Sequence, residues 1–320
     1  MSDHQRFMAT ALALGERGVG TTGNNPSVGC VIVKDQKIMG RGWTQHGGRP
    51  HAEAMALEQA GIAAAGSTIY VTLEPCAHVS ARGPACADIV MKAAPVQVVI
   101  ALQDPDPRTA GKGVAALRQA GINVVLGVMA SDANVALAGF LSRIDRGRPQ
   151  VTLKLATSLD GAIAMADGTS RWITGDAARA HAHVERARCD AILVGSGTVL
   201  ADAPTLDVRV AGLVDRKPIR MMLGRGNAPT GWKAIRSPDE IAALACNTLL
   251  VEGGAMTASS FLRAGLVDRL LLYRAPILIG SGVACLGDIG LTQLNAAHGQ
   301  WQITDTRRLG NDRVEVYAKI

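Results

Sequence analysis

Side chains that bind metal ions or transfer protons stand in three short segments of the N-terminal half. These are His51-Ala-Glu53, Glu74-Pro75-Cys76 and a separate Cys86. One imidazole and two thiolates can hold a zinc ion and leave its fourth coordination position open to water. Soft thiolates favour zinc, and zinc lowers the pKa of bound water toward neutrality. The pattern predicts zinc ligands at His51, Cys76 and Cys86, with Glu53 as the catalytic carboxylate that moves the water proton.

The helix that carries the first segment decides whether these groups can meet. A helix is predicted from His51 to Gly61, because Pro50 precedes it and glycine ends it. Residues two apart on a helix diverge by about 200°, so His51 and Glu53 converge only on a metal beyond the helix end. We expect the cysteines beside helix starts, where the local dipole favours thiolates.

Each feature also has a plain structural interpretation. An H-x-E pair on a helix is commonly exposed, and free cysteines commonly behave as small buried hydrophobes. The order H-x-E, strand, P-C and a later C nevertheless matches the zinc deaminase signature. Cys30 lies in the apolar run 28–33, and we interpret it as a core residue and not as a ligand.

Further motifs extend this match to one family. Asn25-Pro-Ser-Val-Gly-Cys30, Thr72-Leu-Glu-Pro-Cys76 and Gln103-Asp-Pro105, with the H-x-E segment, resemble the deaminase half of the bifunctional riboflavin-biosynthesis deaminase/reductase. Nine residues (86 − 76 − 1) separate the two cysteines, a long loop that is similar to this family's and unlike the P-C-x-x-C of cytidine deaminases. The resemblance implies a cytidine-deaminase-like, three-layer α/β domain over residues 1–147. It implies zinc-dependent hydrolytic deamination of a phosphoribosylated diaminopyrimidinone.

The resemblance also implies substrate contacts in this half. Asn25 is expected to contact the pyrimidine, and Arg82 the ribose phosphate. Thr44 stands where the family usually has histidine, and His46 is a candidate to compensate for it. Because the loop is one residue longer than usual, Arg82 is also open to interpretation as a solvated loop residue.

The C-terminal half carries a second set of motifs, over residues 148–320. Lys154-Leu-Ala-Thr-Ser-Leu-Asp-Gly161, Gly195-Ser-Gly-Thr-Val-Leu-Ala-Asp202 and Leu250-Val-Glu-Gly-Gly-Ala255 resemble the reductase half of the same family, which has a dihydrofolate-reductase-like fold. In the last motif, glycines at a strand–helix junction let backbone amides approach a phosphate. The motif lacks G-x-G-x-x-G, so a plain tight turn remains an alternative.

Residues for NADPH and the substrate follow from that resemblance. The implied cofactor contacts are Ala156, Trp172, Thr198, Asp202, Gly253, Gly254, Ala255, Met256 and Thr257. The implied substrate contacts are Ser170, Arg186, Leu206, Arg209 and Glu252. Arginines suit a phosphate, because their donors form a planar fork. For Arg186, an ion pair with Glu185 is the alternative.

The implied second reaction is NADPH-dependent reduction of the ribosyl group to a ribityl chain. Two departures weaken the match: Gly224-Arg225 stands where Asp-Ser is common, and the stretch 226–247 is short. Arg225 could bind the cofactor's 2′-phosphate region ionically in place of that serine. The alternative function is a deaminase whose C-terminal domain is inactive or serves another substrate.

Strands and helices alternate along both halves, which predicts two α/β domains. An amphipathic helix is predicted over Arg6–Val19 and a hairpin around Lys34-Asp-Gln-Lys37. A charged segment, Arg143–Pro149, marks the predicted boundary, and a closing hairpin turns at Gly310-Asn-Asp312.

Composition excludes several other classes of protein. The formal charge, 33 − 27 = +6, comes without a basic run, which speaks against nucleic-acid binding and suits a small phosphorylated ligand. Three Tyr and three Phe offer little stacking surface for nucleobases. Without a signal segment or a long apolar stretch, we expect no membrane contact and a cytoplasmic location with reduced cysteines. The sequence leaves open the oligomeric state, a homo-oligomer included, and any transfer of the intermediate between domains.

Overall fold

The computed structural model describes residues 2–78 and 82–320. The chain forms two compact units, Met1–Gly147 and Arg148–Ile320. Each unit has its own sheet and its own buried core. No helix in the described part of the chain is long and apolar enough to cross a membrane.

The N-terminal unit alternates helices and strands along its described residues. Its helices are α1 (Asp3–Gly15), α2 (Ala52–Ala60), α3 (Cys86–Lys92), α4 (Lys112–Gln119), α5 (Ala130–Ala136) and α6 (Ala138–Arg146). Its strands are β1 (Gly29–Lys34), β2 (Lys37–Trp43), β3 (Thr68–Leu73), β4 (Gln97–Leu102) and β5 (Asn123–Leu126). Short 3₁₀ turns occupy Glu16–Gly18, His46–Gly48 and Gly61–Ala64.

The five strands of this unit form one mixed sheet in the order β2-β1-β3-β4-β5. β3, β4 and β5 run parallel, while β1 is antiparallel to β2 and β3. One face packs against α2, α3 and α4, and the other against α1 and α5. The predicted three-layer α/β arrangement is therefore confirmed, and Cys30 is fully buried in the first core.

Local sequence explains the hairpin and the first helix. Asp35 and Gln36 have φ values of 48° and 61°, the left-handed pair that a two-residue turn between twisted strands requires. The helix begins earlier than predicted, because Ser2 and Gln5 form a reciprocal capping box. It also ends earlier, at Gly15, and only a 3₁₀ turn follows where the periodicity predicted helix to Val19.

Two helices near the predicted domain boundary were missed. α5 and α6 occupy residues 130–146, so Arg143 and Arg146 end a helix and do not form a linker. The first of these helices follows Met129, which has a φ of 56°. The pattern of side chains does not predict this left-handed conformation. The chain leaves α6 through Gly147, whose φ of 68° suits glycine.

The C-terminal unit contains ten strands and three helices among its described residues. The strands are β6 (Gln150–Thr157), β7 (Ala162–Ala164), β8 (Ala191–Gly195), β9 (Ile219–Leu223), β10 (Lys233–Ile235), β11 (Thr248–Val251), β12 (Arg269–Arg274), β13 (Val283–Ala284), β14 (Trp301–Leu309) and β15 (Asp312–Lys319). The helices are α7 (Asp176–Ala187), α8 (Ser196–Asp202) and α9 (Ala255–Arg263). Pro238–Ala243 and Leu294–Ala297 are 3₁₀ turns.

Eight of these strands form a single sheet in the order β10-β9-β8-β11-β6-β12-β15-β14. The first six are parallel, and the closing β14–β15 hairpin is antiparallel to β12. α9 packs on one face and α7 on the other. Because all six parallel strands end at one edge, the loops that follow β6, β8, β9 and β11 meet there, where ligands bind in open α/β sheets.

Candidate active sites

The predicted zinc ligands come from three elements that meet beyond the end of β3. His51 is the residue that caps α2, Cys76 lies three residues after the last residue of β3, and Cys86 is the first residue of α3. Burial of β3 and of both helices in the same core brings these positions together.

The geometry of the three ligand atoms fits a zinc ion. His51 Nδ1 lies 3.2 Å from Cys86 Sγ and 3.7 Å from Cys76 Sγ, and all three atoms lie within 4.8 Å of one another. Tetrahedral zinc with ordinary Zn–S and Zn–N bonds separates its ligand atoms by about 3.5–3.8 Å. The Cys86 amide also donates to Cys76 Sγ at 3.2 Å, which orients that sulfur.

The pKa values of the two thiols are shifted in opposite directions. The hydrogen bond from the Cys86 thiol lowers the pKa of Cys76 to about 4, although burial opposes this shift. That same bond, followed by burial, raises the pKa of Cys86. A metal cation held by the two sulfurs would displace the proton between them, since metal binding releases protons from its ligands.

Glu53 lies where the helix-end argument predicts. It is the second residue of α2, only 3% exposed, and hydrogen-bonds to Cys86. Burial raises the pKa of Glu53, and the charge of His51 partly opposes that rise. A buried carboxyl of this kind can accept a proton and release it again, as a general base and acid must.

A cleft of about 250 Å³ opens beside these residues. Asn25 and Arg82, predicted from the resemblance to contact the substrate, both line it. The Asn25 amide packs against Gly48, where a Cβ would lie 2.0 Å from its nitrogen. The structure therefore brings Asn25 and Arg82 to the same cleft as His51, Glu53 and Cys76.

Among the acidic residues that line this cleft, Glu74, Asp104 and Asp106 had no predicted role. Glu74 accepts backbone hydrogen bonds from Asp104, Gly111 and Val114, so it ties the end of β3 to the start of α4. Burial raises the pKa of Asp104 to about 6, and its carboxylate lines the cleft. This residue belongs to the motif Gln103-Asp-Pro105, but nothing in that motif indicated its burial.

The environment of Thr44 does not support His46 as its replacement. Thr44 is 1% exposed, and its hydroxyl oxygen accepts the Val28 amide hydrogen at 3.0 Å. His46 is exposed and is not among the residues that line the cleft. The structure therefore offers no support for His46 as a replacement for Thr44.

In the C-terminal unit, close packing excludes a side chain at Gly253, after β11, and at Gly195, at the end of β8. A Cβ at Gly253 would lie 2.4 Å from Thr257 Cβ, and one at Gly195 would lie 2.3 Å from Thr257 Oγ1. The ends of β8 and β11 and the start of α9 thus converge. Gly254 caps α9, Ala255 begins it, and Met256 is 89% exposed at its first turn.

The other predicted cofactor residues lie around this edge. Ala156 is near the end of β6, and Thr198 and Asp202 lie on α8. Asp202 accepts a hydrogen bond from Arg171 at 3.1 Å. Trp172 is 67% exposed, with the Arg179 guanidinium 4.7 Å from its ring centre. An exposed, cation-faced ring offers a stacking surface for a ligand.

Two predicted substrate residues, Arg186 and Glu252, contact each other. Arg186 Nε and Nη2 donate to the two carboxylate oxygens of Glu252 at 2.6 and 2.9 Å. Glu185, the alternative partner, instead pairs with Arg269 at 2.7 Å. The alternative prediction of an ion pair between Arg186 and Glu185 is therefore wrong. Burial alone would raise the pKa of Glu252, but Arg186 and Lys154 lower it.

Lys154 is a functional candidate that was not predicted from the sequence. Its ammonium lies 3.9 Å from Glu252 and 5.8 Å from the centre of the Tyr273 ring. Burial lowers the pKa of Lys154, although Glu252 opposes this. The available signal was a charged residue in the middle of β6, where the neighbouring positions are apolar.

The remaining predicted substrate residues lie near this cluster. Leu206 and Arg209 line a cleft of about 290 Å³ with Arg216, Lys217 and Arg220. Leu206 has a φ of 53°, a left-handed conformation that is costly for leucine. Ser170 lies half-buried in the loop before Trp172.

Comparisons with known proteins match both units. The cytidine and deoxycytidylate deaminase zinc-binding region matches residues 1–102. The RibD C-terminal domain matches residues 149–232 and 238–314. The chain is 40% identical to the riboflavin biosynthesis protein RibD of Escherichia coli (strain K12), over 96% of each protein.

Solved structures agree over nearly the whole chain. Form 1 of Acinetobacter baumannii RibD has a TM-score of 0.90 and 37% identity, with 99% of each chain covered. A Thermotoga maritima diaminohydroxyphosphoribosylaminopyrimidine deaminase/5-amino-6-(5-phosphoribosylamino)uracil reductase has a TM-score of 0.88 and 30% identity, also over 99% of each chain. The similarity spans both units without a missing part.

Proposed function

Since the chain belongs to the RibD family of riboflavin-biosynthesis proteins, we propose that it catalyses two consecutive steps, a deamination and a reduction. The unit Met1–Gly147 is the zinc-dependent deaminase of a phosphoribosylated diaminopyrimidinone. The unit Arg148–Ile320 is the NADPH-dependent reductase that converts the ribosyl group to a ribityl chain. The observation that carries the proposal is the His51, Cys76 and Cys86 cluster beside buried Glu53.

The residues of the N-terminal cleft have different roles in deamination. A zinc ion held by His51, Cys76 and Cys86 supplies the Lewis acidity that makes water nucleophilic near neutral pH. The Glu53 carboxylate takes up the water proton and delivers it to the leaving amino group as ammonia forms. Asn25 orients the pyrimidine. Burial raises the pKa of the Asp104 carboxyl to about 6, so this group can accept or donate a proton near neutral pH.

The half-buried cluster of Lys154, Arg186 and Glu252 serves the reduction. NADPH supplies the hydride that reduces the first carbon of the opened ribose. Lys154, whose pKa is lowered by burial, donates a proton from Nζ to the ribose oxygen released by ring opening. The bidentate Arg186 contact fixes Glu252 beside that ammonium.

Replacing Lys154 with methionine is expected to lower the reduction rate about 100-fold or more, because the proton donor is lost. Methionine fills a similar volume, and Glu252 keeps its ion pair with Arg186, so the fold is retained. NADPH oxidation on the deaminated intermediate measures the effect. Ammonia release should stay at the wild-type rate, and exposed Lys319→Met is the matched control. Reduction within a few-fold of wild type would remove Lys154 from the mechanism.

The cofactor is proposed to lie along the edge where β11, β8 and β9 end. Gly253 and Gly254 admit a phosphate at the start of α9, which has nine residues. Gly224 and Arg225 directly follow β9. Arg236 donates to the Gly224 carbonyl at 3.2 Å, so it lies at the same end of the sheet edge. Two guanidinium groups at the far end of this line suit the cofactor's 2′-phosphate.

Arg225→Ala is expected to weaken NADPH binding about 10-fold and to leave NADH binding unchanged, because only NADPH carries the 2′-phosphate. Calorimetric titration of each cofactor gives the two dissociation constants. Exposed Arg308→Ala, on the edge strand β14, serves as the control. Equal losses for both cofactors, or no loss for NADPH, would contradict this placement.

The alternative, a deaminase whose C-terminal domain is inactive or serves another substrate, is not favoured. The RibD C-terminal domain match covers that unit, and the unit pairs Arg186 with Glu252 beside Lys154. Free thiols at Cys76 and Cys86 suit a reducing compartment, so we place the enzyme in the cytoplasm with small phosphorylated molecules as its ligands.

Incubation of the purified enzyme with its diaminopyrimidinone substrate tests both proposed activities. Without NADPH, we expect one equivalent of ammonia and accumulation of the uracil intermediate. Addition of NADPH should then convert that intermediate to the ribityl product with one equivalent of cofactor oxidised. Absence of ammonia release would reject the first activity, and absence of NADPH oxidation the second.

A further inference from the structure

The segment 205–209 carries two of the predicted substrate residues of the C-terminal unit, Leu206 and Arg209. It is neither helix nor strand. Leu206 is 4% exposed and packs in a core cluster with Ile192 and Leu250. Its φ of 53° is a left-handed conformation that a leucine keeps only where the surrounding structure holds it. The segment therefore depends on contacts that fix it from outside.

The helix α7 supplies one such contact, at the Asp207 carbonyl. His183 Nδ1 lies 2.9 Å from this oxygen, and Arg186 Nη1 donates to it at 3.2 Å. Because a carbonyl oxygen only accepts, Nδ1 carries the proton when His183 makes this bond. Residues three apart lie on one face of a helix, so both side chains reach the segment from the same side.

The imidazole also lies next to a second backbone group of the segment. The Arg209 amide nitrogen is 3.3 Å from His183 Nδ1. A neutral ring with its proton on Nε2 accepts a hydrogen bond from this amide, so either tautomer ties His183 to the segment. On the other side, Arg220 of β9 donates to the Asp207 carboxylate at 2.7 Å. The segment is thus held between α7 and β9.

His183 acts in this position as a neutral hydrogen-bonding group. Burial lowers the pKa of His183, and the charges of Arg186 and Arg209 lower it further. The Asp207 carbonyl and the Glu252 carboxylate oppose these effects without reversing them. An uncharged ring adds no charge for a substrate phosphate, so its contribution lies in the chain that it holds.

Arg186 joins this contact to the reductase cluster. Its Nε and Nη2 donate to the carboxylate of Glu252, which directly follows β11, while its Nη1 donates to the Asp207 carbonyl. His183 shares the second of these contacts. Loss of the imidazole would therefore leave Arg186 as the one α7 side chain with a hydrogen bond to that carbonyl among the described residues.

We propose that His183 is a positioning residue of the reductase, which holds the segment 205–209 on α7 so that Leu206 and Arg209 can bind the substrate. The inference rests on the proposed reductase function and adds a residue that acts through the chain and not on the reacting atoms. The proposed proton donor Lys154 lies beside Glu252 and outside this segment, and no predicted cofactor residue belongs to it. Loss of His183 should therefore weaken binding of the reductase substrate alone.

The test is steady-state reduction of the deaminated intermediate. In His183→Ala, we expect KM for the intermediate to rise about 3- to 10-fold, the equivalent of one neutral hydrogen bond, with kcat and the KM for NADPH within about a factor of two of wild type. Alanine is a better helix former than histidine, so a weaker α7 would not account for this loss.

Two further substitutions separate the hydrogen bond from the bulk of the ring. The amide nitrogen of asparagine is as many bonds from Cα as Nδ1 is, so His183→Asn should restore most of the affinity for the intermediate. His183→Gln places its amide farther out and should behave like His183→Ala. Hydrogen exchange of the amides in 205–209 gives a readout independent of activity. Exchange should be faster in His183→Ala and close to wild type in His183→Asn.

His298→Ala is the matched control, because His298 is an exposed histidine of the same unit. An unchanged KM for the intermediate or unchanged hydrogen exchange in His183→Ala would overturn the assignment. Equal rises of the two KM values, or no recovery in His183→Asn, would point to a merely structural role and overturn it as well. Absence of NADPH oxidation by the wild-type enzyme would instead reject the reductase function itself, and the assignment with it.

Discussion

Glu53→Gln is expected to lower the rate of ammonia release by about 100- to 10,000-fold, the usual range for loss of a general acid–base. The amide keeps the size of the carboxyl but cannot accept and return a proton. Glu53 is 3% exposed beside Cys86, so no solvent-exposed group can readily replace it.

Zinc content and reduction should both survive this substitution. Glu53 is not one of the ligand atoms, and Lys154 and Glu252 belong to the other compact unit. Supplying the deaminated intermediate with NADPH should therefore give wild-type oxidation rates. Glu58→Gln, on an exposed position of the same helix, is the control and should keep both activities. A joint fall of the two activities in Glu53→Gln would contradict a two-site enzyme.

Cys86→Ser is expected to remove stoichiometric zinc and, with it, deamination. A serine hydroxyl is not ionised near neutral pH, so the site loses one of its two anionic ligands. Its remaining ligands, His51 and Cys76, hold zinc far more weakly. Elemental analysis after dialysis against a mild chelator measures the loss.

Cys285→Ser controls for the chemical change, because Cys285 lies in the other unit and is not in the metal cluster. The Cys86→Ser protein should still reduce the deaminated intermediate, which shows that the chain has folded. Full zinc occupancy in Cys86→Ser would refute the ligand assignment.

The zinc site could be predicted from sequence because its residues fall into short motifs with fixed neighbours. His51 and Glu53 belong to one helix start, and Pro75-Cys76 follows a strand whose β-branched residues are readily recognised. His51 caps α2 and Glu53 follows within its first turn, which is the arrangement that a metal ion beyond the helix end requires.

The reductase cluster could not be found in this way. Lys154, Arg186 and Glu252 come from β6, α7 and the end of β11, and only the sheet order places β11 beside β6. Nothing local in the sequence distinguishes Arg186 paired with Glu252 from Arg186 paired with Glu185. Strand order is a property of the whole unit, and short motifs do not encode it.

The short helices α5 and α6 were missed for a different reason. Each has fewer than ten residues, so the apolar repeat is sampled over only two turns. Packing of Ala133 and Phe140 into the two cores stabilises them more than intrinsic propensity does.

Zinc K-edge X-ray absorption of the wild-type enzyme tests the metal assignment most directly. We predict one zinc per chain with two sulfur neighbours at about 2.3 Å and the remaining neighbours nitrogen or oxygen at about 2.0–2.1 Å. A spectrum without sulfur, or full deaminase activity in metal-free protein, would contradict the account.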